Sequence, residues 1–283
     1  MLAVGIGVNA TVFTVTNAVL FKGFPLVERN DRLVYITPKG SNCCPSYPAF
    51  LDYRAQAKSF QGMAIVHGVS FALTDSGSTE RIAGNENSAD TFRVVGQKPI
   101  LGRDFTPADE IPGAAQVAIL NYGFWERRYG KDRTVIGRTV RLNGVPTTFI
   151  GVMPEGFSFP QTTDVWVPLV QTQEVLRRDS HNTWMAVGRL ADGVTIESAR
   201  AEMDVIGKRL AAAYPVTDAE LPPVVQKFHE FFIGGNAILI YGSMWGAVGF
   251  VLLIACANLA NLLLCQRPRA RRDMMRSPRR RTV

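Results

Sequence analysis

The sequence predicts an α+β fold: an extracytoplasmic body of two β-α-β units with a β-rich stretch inserted between them, flanked by transmembrane helices. Three observations carry that expectation. Uncharged apolar stretches lie near both ends of the chain, at 2–21 and 237–265. Between them the hydrophobic pattern twice runs strand, helix, strand, switching between a two-residue and a 3.6-residue period. In the middle, Asn143-Gly144 separates two short strand-like runs. An Asn-Gly pair so placed is a strong hairpin signal, because both residues tolerate positive φ.

The first apolar stretch, Leu2 to Phe21, has roughly the twenty residues a helix needs to cross a bilayer core. It is diluted by Asn9, Thr11, Thr14, Thr16 and Asn17. A secretory signal peptide is the competing reading. That would require positive charge before the apolar core and a small-residue cleavage site after it, and neither Met1 nor Phe21-Lys22-Gly23-Phe24-Pro25 supplies them. The second stretch, Ala237 to Cys265, is longer and uncharged, with Tyr241 and Trp245 near its start, where aromatic rings favour the membrane interface. Gly242 and Gly246 are spaced for close helix approach, and Asn258 and Asn261 share a face whose amides need partners in lipid.

Charge sets the orientation. The whole net charge of +7 lies from Arg267 onward, where arginines at 267, 269, 271, 272, 276, 279, 280 and 281 face only Asp273. The rest of the chain is neutral overall, which excludes a general nucleic-acid-binding field. Arginines directly after a span hold that end in the cytoplasm. The expected layout is therefore a transmembrane helix at 1–21, an extracytoplasmic body at 22–236, a transmembrane helix at 237–265 and a basic cytoplasmic tail at 266–283. The four cysteines, Cys43-Cys44, Cys256 and Cys265, form neither a disulfide framework nor a metal knuckle.

Within the body, 32–37 reads as a strand. Ser46 then caps a helix with Phe50, Tyr53 and Ala57 on one stripe. Strands follow over 60–74 and 79–86, then a short helix over 89–95. The middle stretch holds a strand at 117–120, an aromatic-rich helix at 122–129, a hairpin over 139–152 and a strand at 165–169. In that last strand Pro168 marks an edge or an end. Trp184 to Leu190 is a further strand. Thr195 caps an amphipathic helix with Ile196, Ala199, Met203, Ile206 and Leu210 on its buried face, and Arg200 and Asp204 are spaced to pair on the other side. Tyr214-Pro215 ends it, and Val224-Val225 opens the last strand.

No catalytic, cofactor-binding or metal-binding residues emerge. Gly130-Lys131 lacks the rest of a phosphate loop, His229-Glu230 is followed by Ile233 where a zinc motif needs histidine, and no nucleophile elbow occurs. The histidines are scattered. Asp104, Asp109 and Glu110, together with Pro107 and Pro112, read as a solvated loop. No enzymatic activity is expected.

Several long segments in order resemble a known family: GIGVNATVFTVTNAVLF, SYPAFLDYRAQAKSFQGMA, AILNYGFWERRYG, VIGRTVRLNGVPTTFIGVMPEGFSFP, VGRLADGVTIESARAEM and GAVGFVLLIACANLANLLL. With them the chain, nearly to Cys265, resembles the MacB-like permeases of ABC transporters, which have a large periplasmic core domain and belong with the FtsX-like permeases. The resemblance implies a porter-like subdomain at 27–98 and 183–235 with a second subdomain at 99–182 inserted in it. It also implies a bacterial inner-membrane location with 22–236 periplasmic, a partner ABC ATPase that binds the ATP, a permease homo- or pseudo-dimer, a periplasmic adaptor, and mechanical transmission from ATP hydrolysis to export or efflux. The family carries more residues before the first span and further spans after Cys265, so the chain reads as a truncated permease. A membrane-anchored extracytoplasmic binding or scaffold module without transport is the alternative.

Overall fold

The computed structural model describes residues 24, 26–39, 45–180, 184–227 and 231, and most positions from 242 to 261. The chain divides into two compact units, Gly23–Phe232 and a second formed by Met1–Lys22 with Ile233–Val283. In the second unit, the described positions between Gly242 and Asn261 are helical. Their apolar side chains stand out from the helix, Phe250 being 72% and Leu253 68% exposed. Among the described residues no helix is long and apolar enough to cross a membrane. The expected span at 1–21 lies outside the described residues, and that at 237–265 lies partly outside them.

One part of the first unit is a four-stranded sheet. β1 (Leu33–Pro38), α1 (Tyr47–Gln56) and β2 (Phe60–Asp75) make one β-α-β unit; β9 (Trp184–Leu190), α4 (Ile196–Ala213) and β10 (Pro223–Lys227) make the other. The strands lie in the order β10-β1-β9-β2, each antiparallel to its neighbour. Each unit is thus split by a strand of the other, the interleaved pattern of ferredoxin-like sheets. Local chemistry starts both helices as the sequence predicts. The Ser46 side chain accepts from Ala49 N at 3.3 Å and that of Thr195 from Ser198 N at 3.2 Å. Both helices cover one sheet face, burying Tyr47, Phe50, Met203 and Ile206 against Val34, Ile36 and Ile65. Gly207 lets α4 approach β10, since a Cβ there would sit 2.4 Å from Pro223 Cδ.

The pair expected between Arg200 and Asp204 does not form. Asp204 pairs instead with Lys208 at 2.6 Å, and Arg200 Nε donates to Val225 O at 2.8 Å. The register of β10 against β1, continued by Lys39 N donating to Pro222 O, turns the backbone groups of even-numbered β10 residues toward β1. The carbonyl of Val225 therefore faces outward on an edge strand. Arg200 occupies it, and Pro223 has no N–H to offer, so two devices blunt the edge against unwanted pairing.

β2 continues past the four-stranded sheet into a second structure. Its first half pairs with β9 and its second half with β3 (Ser78–Asn87). From β3 the pairing passes to β8 (Val165–Pro168), β5 (Gln116–Leu120), β7 (Val145–Val152) and β6 (Thr139–Leu142), and β6 returns to β2. Six strands thus close a small barrel filled by side chains such as Phe71, Leu73, Ile82, Val140, Phe149 and Val165, as a barrel of this size requires. α3 (Tyr122–Tyr129) packs Phe124 and Trp125 into it. A two-residue strand, β4 (Leu101–Gly102), extends β7.

Both hairpin turns are two-residue turns with positive φ at each residue: Asn143 (50°) with Gly144 (81°), and Ser76 (50°) with Gly77 (82°). That backbone matches the twist of the flanking strands. Asn143 also completes the barrel seam. Its N–H donates to Ala72 O at 2.9 Å, and its side-chain oxygen accepts from Ala72 N at 2.8 Å. Pro168 is the last residue of β8, which lies between β3 and β5 rather than at an edge.

The third core cluster lies where the barrel meets the four-stranded sheet. Leu33, Tyr35, Ala64, Val66 and Val187 from the sheet, Val117, Ile119 and Trp166 from the barrel strands, and Phe92, Val94 and Val95 from the short helix α2 (Thr91–Val95) share it. Phe92 is central, with ring centroids of Phe105, Phe157 and Trp166 at 5.9, 5.9 and 5.5 Å.

Candidate functional site

The two ends of the domain come together at one end of the four-stranded sheet. Val34 near the start of β1 is in register with Lys227 at the end of β10, and Leu33 with Arg189 at the end of β9. This root is where the chain enters and leaves the domain.

The incoming segment is braced by one amide. The Asn30 side chain accepts from Phe24 N at 3.0 Å and donates to Phe24 O at 3.1 Å and Val27 O at 2.9 Å. Those three bonds close a loop around Leu26 and Arg29, both at positive φ. The loop then docks on the C-terminus of α2: Glu28 N donates to Val95 O at 3.2 Å and Gln97 Nε2 to Leu26 O. Gly96 ends α2 in the left-handed region at φ 72°, and a Cβ there would lie 2.8 Å from Glu28 Cβ, so glycine serves both the helix stop and the docking.

Arg189 binds a second carbonyl at the same helix end. It is only 7% exposed, and its Nε donates to Val94 O. Among the described residues its Nη2 has no hydrogen-bond partner. Burial pulls its pKa below the ordinary guanidinium value, yet a guanidinium stays charged. A buried, partly satisfied cation is expensive, so this position spends stability to fix α2 against β9.

Both ends also place an aromatic ring against the shared cluster. Phe24 meets Phe159 edge-on at 5.6 Å, and Phe231, past the end of β10, lies 3.8 Å from Tyr35 between centroids. Phe159 belongs to the segment between β7 and β8. The incoming chain therefore touches the barrel region directly as well as the sheet. Two amides of β3, Asn85 and Asn87, are fully buried. Asn85 Nδ2 donates to Thr163 Oγ1 at 3.0 Å, while Asn85 Oδ1 and both polar atoms of Asn87 have no partner among the described residues.

The acidic stretch at 104–110 is not the solvated loop its sequence suggests. Glu110 is 5% exposed; it accepts from Ala89 N through Oε1 and from Gln171 Nε2 at 3.0 Å. It ties the turn before α2 to the chain leaving β8. Asp109 forms a two-pronged pair with Arg103 at 2.8 and 2.9 Å. Burial pushes the Asp104 carboxyl up to about 6, against the opposing hydrogen bond from Phe105 N. Sequence reasoning missed these roles because burial of a loop comes from distant segments. His67 faces Glu86 across β2 and β3 at 3.1 Å, and His181 and His229 lie outside the described residues. No group of three or more metal-ligating side chains occurs among the described residues.

An interleaved four-stranded sheet sharing its longest strand with a closed barrel, its two ends side by side, defines a class of domain built as an insertion between flanking chain segments. The sequence profile of the MacB-like periplasmic core domain matches residues 1–206, and the chain belongs to that family, whose domain is the extracytoplasmic part of ABC-type transporter permeases. Three solved structures share the fold. The periplasmic region of MacB from Actinobacillus actinomycetemcomitans is 15% identical with a TM-score of 0.54, over 71% of this chain and 91% of that one. A domain of a protein described as a permease from Porphyromonas gingivalis is also 15% identical with a TM-score of 0.54, over 73% and 92%. The extracellular domain of the noncanonic ABC-type transporter YknZ from Gram-positive bacteria is 15% identical with a TM-score of 0.50, over 69% and 99%. At that identity the likeness is one of fold. No curated protein matches the chain.

Proposed function

We propose that the chain is a permease subunit of an ABC transporter that passes motion from ATP hydrolysis in a partner ATPase to substrate outside the membrane, for export or efflux, and performs no chemistry itself. One observation carries the reading. Both ends of the domain enter at the same root and press on one core cluster, from which β2 runs as a single 16-residue strand into the barrel. At about 3.3 Å per residue that strand is roughly 50 Å long. A displacement at the root thus has a stiff path into the barrel, because sheet and packed core resist continuous deformation.

In this reading 1–21 and 237–265 span the bacterial inner membrane, 22–236 is periplasmic, with 99–182 an inserted subdomain, and the basic tail from 266 is cytoplasmic. The permease works as a homo- or pseudo-dimer and meets a periplasmic adaptor. The test is a single spin label at Ser76, on the barrel tip, in the assembly with its ATPase. The separation between the two copies' labels is expected to change between nucleotide-free and ATP-bound states. Steady ATP hydrolysis with an unchanged separation would refute transmission. Ligand binding that needs no ATPase would favour an anchored binding module instead.

A further inference from the structure

The chain leaving β8 crosses the helical face of the four-stranded sheet before it enters β9. Beyond Gln171, whose N–H bonds Glu110 O at 3.1 Å, the backbone hydrogen bonds among described residues up to Ser180 are local: Thr172 to Val170, Leu176 to Thr172, Arg177 to Glu174 and Ser180 to Arg177. A segment bonded mainly to itself has to be fastened by side chains. Val175 packs against the helical-face cluster, and Arg178 makes a polar attachment. Its Nη2 pairs with Asp52 of α1, its Nη1 with Asp218 in the turn after α4 at 2.8 Å, and its guanidinium carbon lies 3.6 Å from the centroid of the Tyr214 ring. Burial alone would lower the Arg178 pKa, but hydrogen bonds to Asp52 and Asp218 raise it above the ordinary value.

Three segments meet at this one cation. Asp52 lies in the first β-α-β unit, Asp218 in the second, and Arg178 on the strap that returns from the barrel. A planar guanidinium offers donors in two directions at once, which an ammonium cannot do with the same geometry. We propose that Arg178 is the pin of a latch that fastens the strap 172–180 across both β-α-β units, and that its release frees the strap and the 214–222 turn together. The two must move together because Asp218 is only 7% exposed. Withdrawing Arg178 leaves a buried carboxylate without its counter-charge, which is strongly unfavourable until the turn opens to water. The role of such a latch in a working cycle rests on the transmission reading above; its existence does not.

Hydrogen exchange on the full chain in detergent, without the ATPase, tests the latch separately from transmission. Arg178→Gln is expected to raise exchange in 172–180 and in 214–222 by about tenfold or more, to sub-global opening, with β3, β5 and β7 unchanged. Arg178→Lys is expected to fall between, since one ammonium serves the two carboxylates less well. Asp52→Asn, which removes one arm and leaves Asp218 paired, is expected to loosen the strap while the 214–222 turn keeps its protection. Unchanged exchange at the strap in Arg178→Gln overturns the latch. So does a rise spread equally over the barrel strands, which would make Arg178 a pillar of the whole fold. If Arg178→Gln does not fold, Asp52→Asn decides, and wild-type exchange at the strap in that variant overturns the proposal.

Discussion

Replacing Asn143 separates two contributions to the barrel seam. The residue holds φ at 50° and supplies the oxygen that accepts Ala72 N at 2.8 Å. Asn143→Gly keeps the backbone conformation at no steric cost but removes the acceptor. Ala72 is exposed, so water replaces part of the bond, and the loss is about 1 kcal/mol. Added unfolded-state freedom contributes a further ~0.5 kcal/mol. Asn143→Ala loses the same bond and must also hold a Cβ-bearing residue in the left-handed region without local help from an amide, which costs another ~1–2 kcal/mol. The expected order is wild type, then Gly at about 1–1.5 kcal/mol lower, then Ala at about 2–3 kcal/mol lower. Urea unfolding of the full chain in detergent, followed by tryptophan fluorescence to which Trp125 and Trp166 of the barrel region contribute, reads these differences from midpoints at constant slope. Two variants of equal stability would show that the backbone conformation is not a determinant, and two variants as stable as wild type would refute the seam itself.

Three further outcomes follow from the geometry. Phe24→Ala removes one edge-on ring contact and a half-buried ring from the root, about 1–2 kcal/mol felt mainly as local fraying. The ATP-dependent separation at Ser76 should shrink while the unfolding midpoint stays near wild type; an undiminished separation argues against the root as the coupling site. Gly207→Ala places a Cβ 2.4 Å from Pro223 Cδ, and overpacking of about 1–3 kcal/mol exceeds the ~1 kcal/mol gained in helix propensity, so the variant should unfold at lower urea, and a stabilised one would show that α4 and β10 slide apart freely. For Asp104 the folded pKa of about 6 lies above the ordinary 3.8, so the folded state holds the proton more tightly and stability falls as pH rises from about 4 to about 6. Asp104→Asn should therefore raise stability at pH 7, by about 1–2 kcal/mol once the partial exposure of the carboxyl is allowed for, and have little effect at pH 3.5, and a pH-independent difference would contradict the burial of that carboxyl.

Much of the local structure was legible because its causes are local. Ser46 and Thr195 cap their helices through their own side chains, the buried stripe of α4 follows the 3.6-residue period, and Asn143-Gly144 turns as the dipeptide predicts. The second hairpin is less legible, although Ser76-Gly77 adopts the same backbone, because serine is a weaker carrier of positive φ than asparagine. The Arg200–Asp204 spacing suggests a surface pair, but an outward carbonyl on β10 offers Arg200 an acceptor that Asp204, paired with Lys208, does not.

By itself, then, the amino-acid order determined the strand and helix segments, the caps, the turns and the neutrality of the body, since each depends on residues within a few positions of one another. It could not reveal that the two β-α-β units interleave, that β2 is shared between sheet and barrel, or that Glu110, Arg178 and Arg189 are buried junctions. Those depend on which distant segments meet, and a charged side chain in a loop-like stretch looks the same in sequence whether water or a partner from 126 residues away surrounds it. Tertiary contact decided the matter, because taking such a group out of water is tolerated only where the fold supplies its hydrogen bonds or counter-charges.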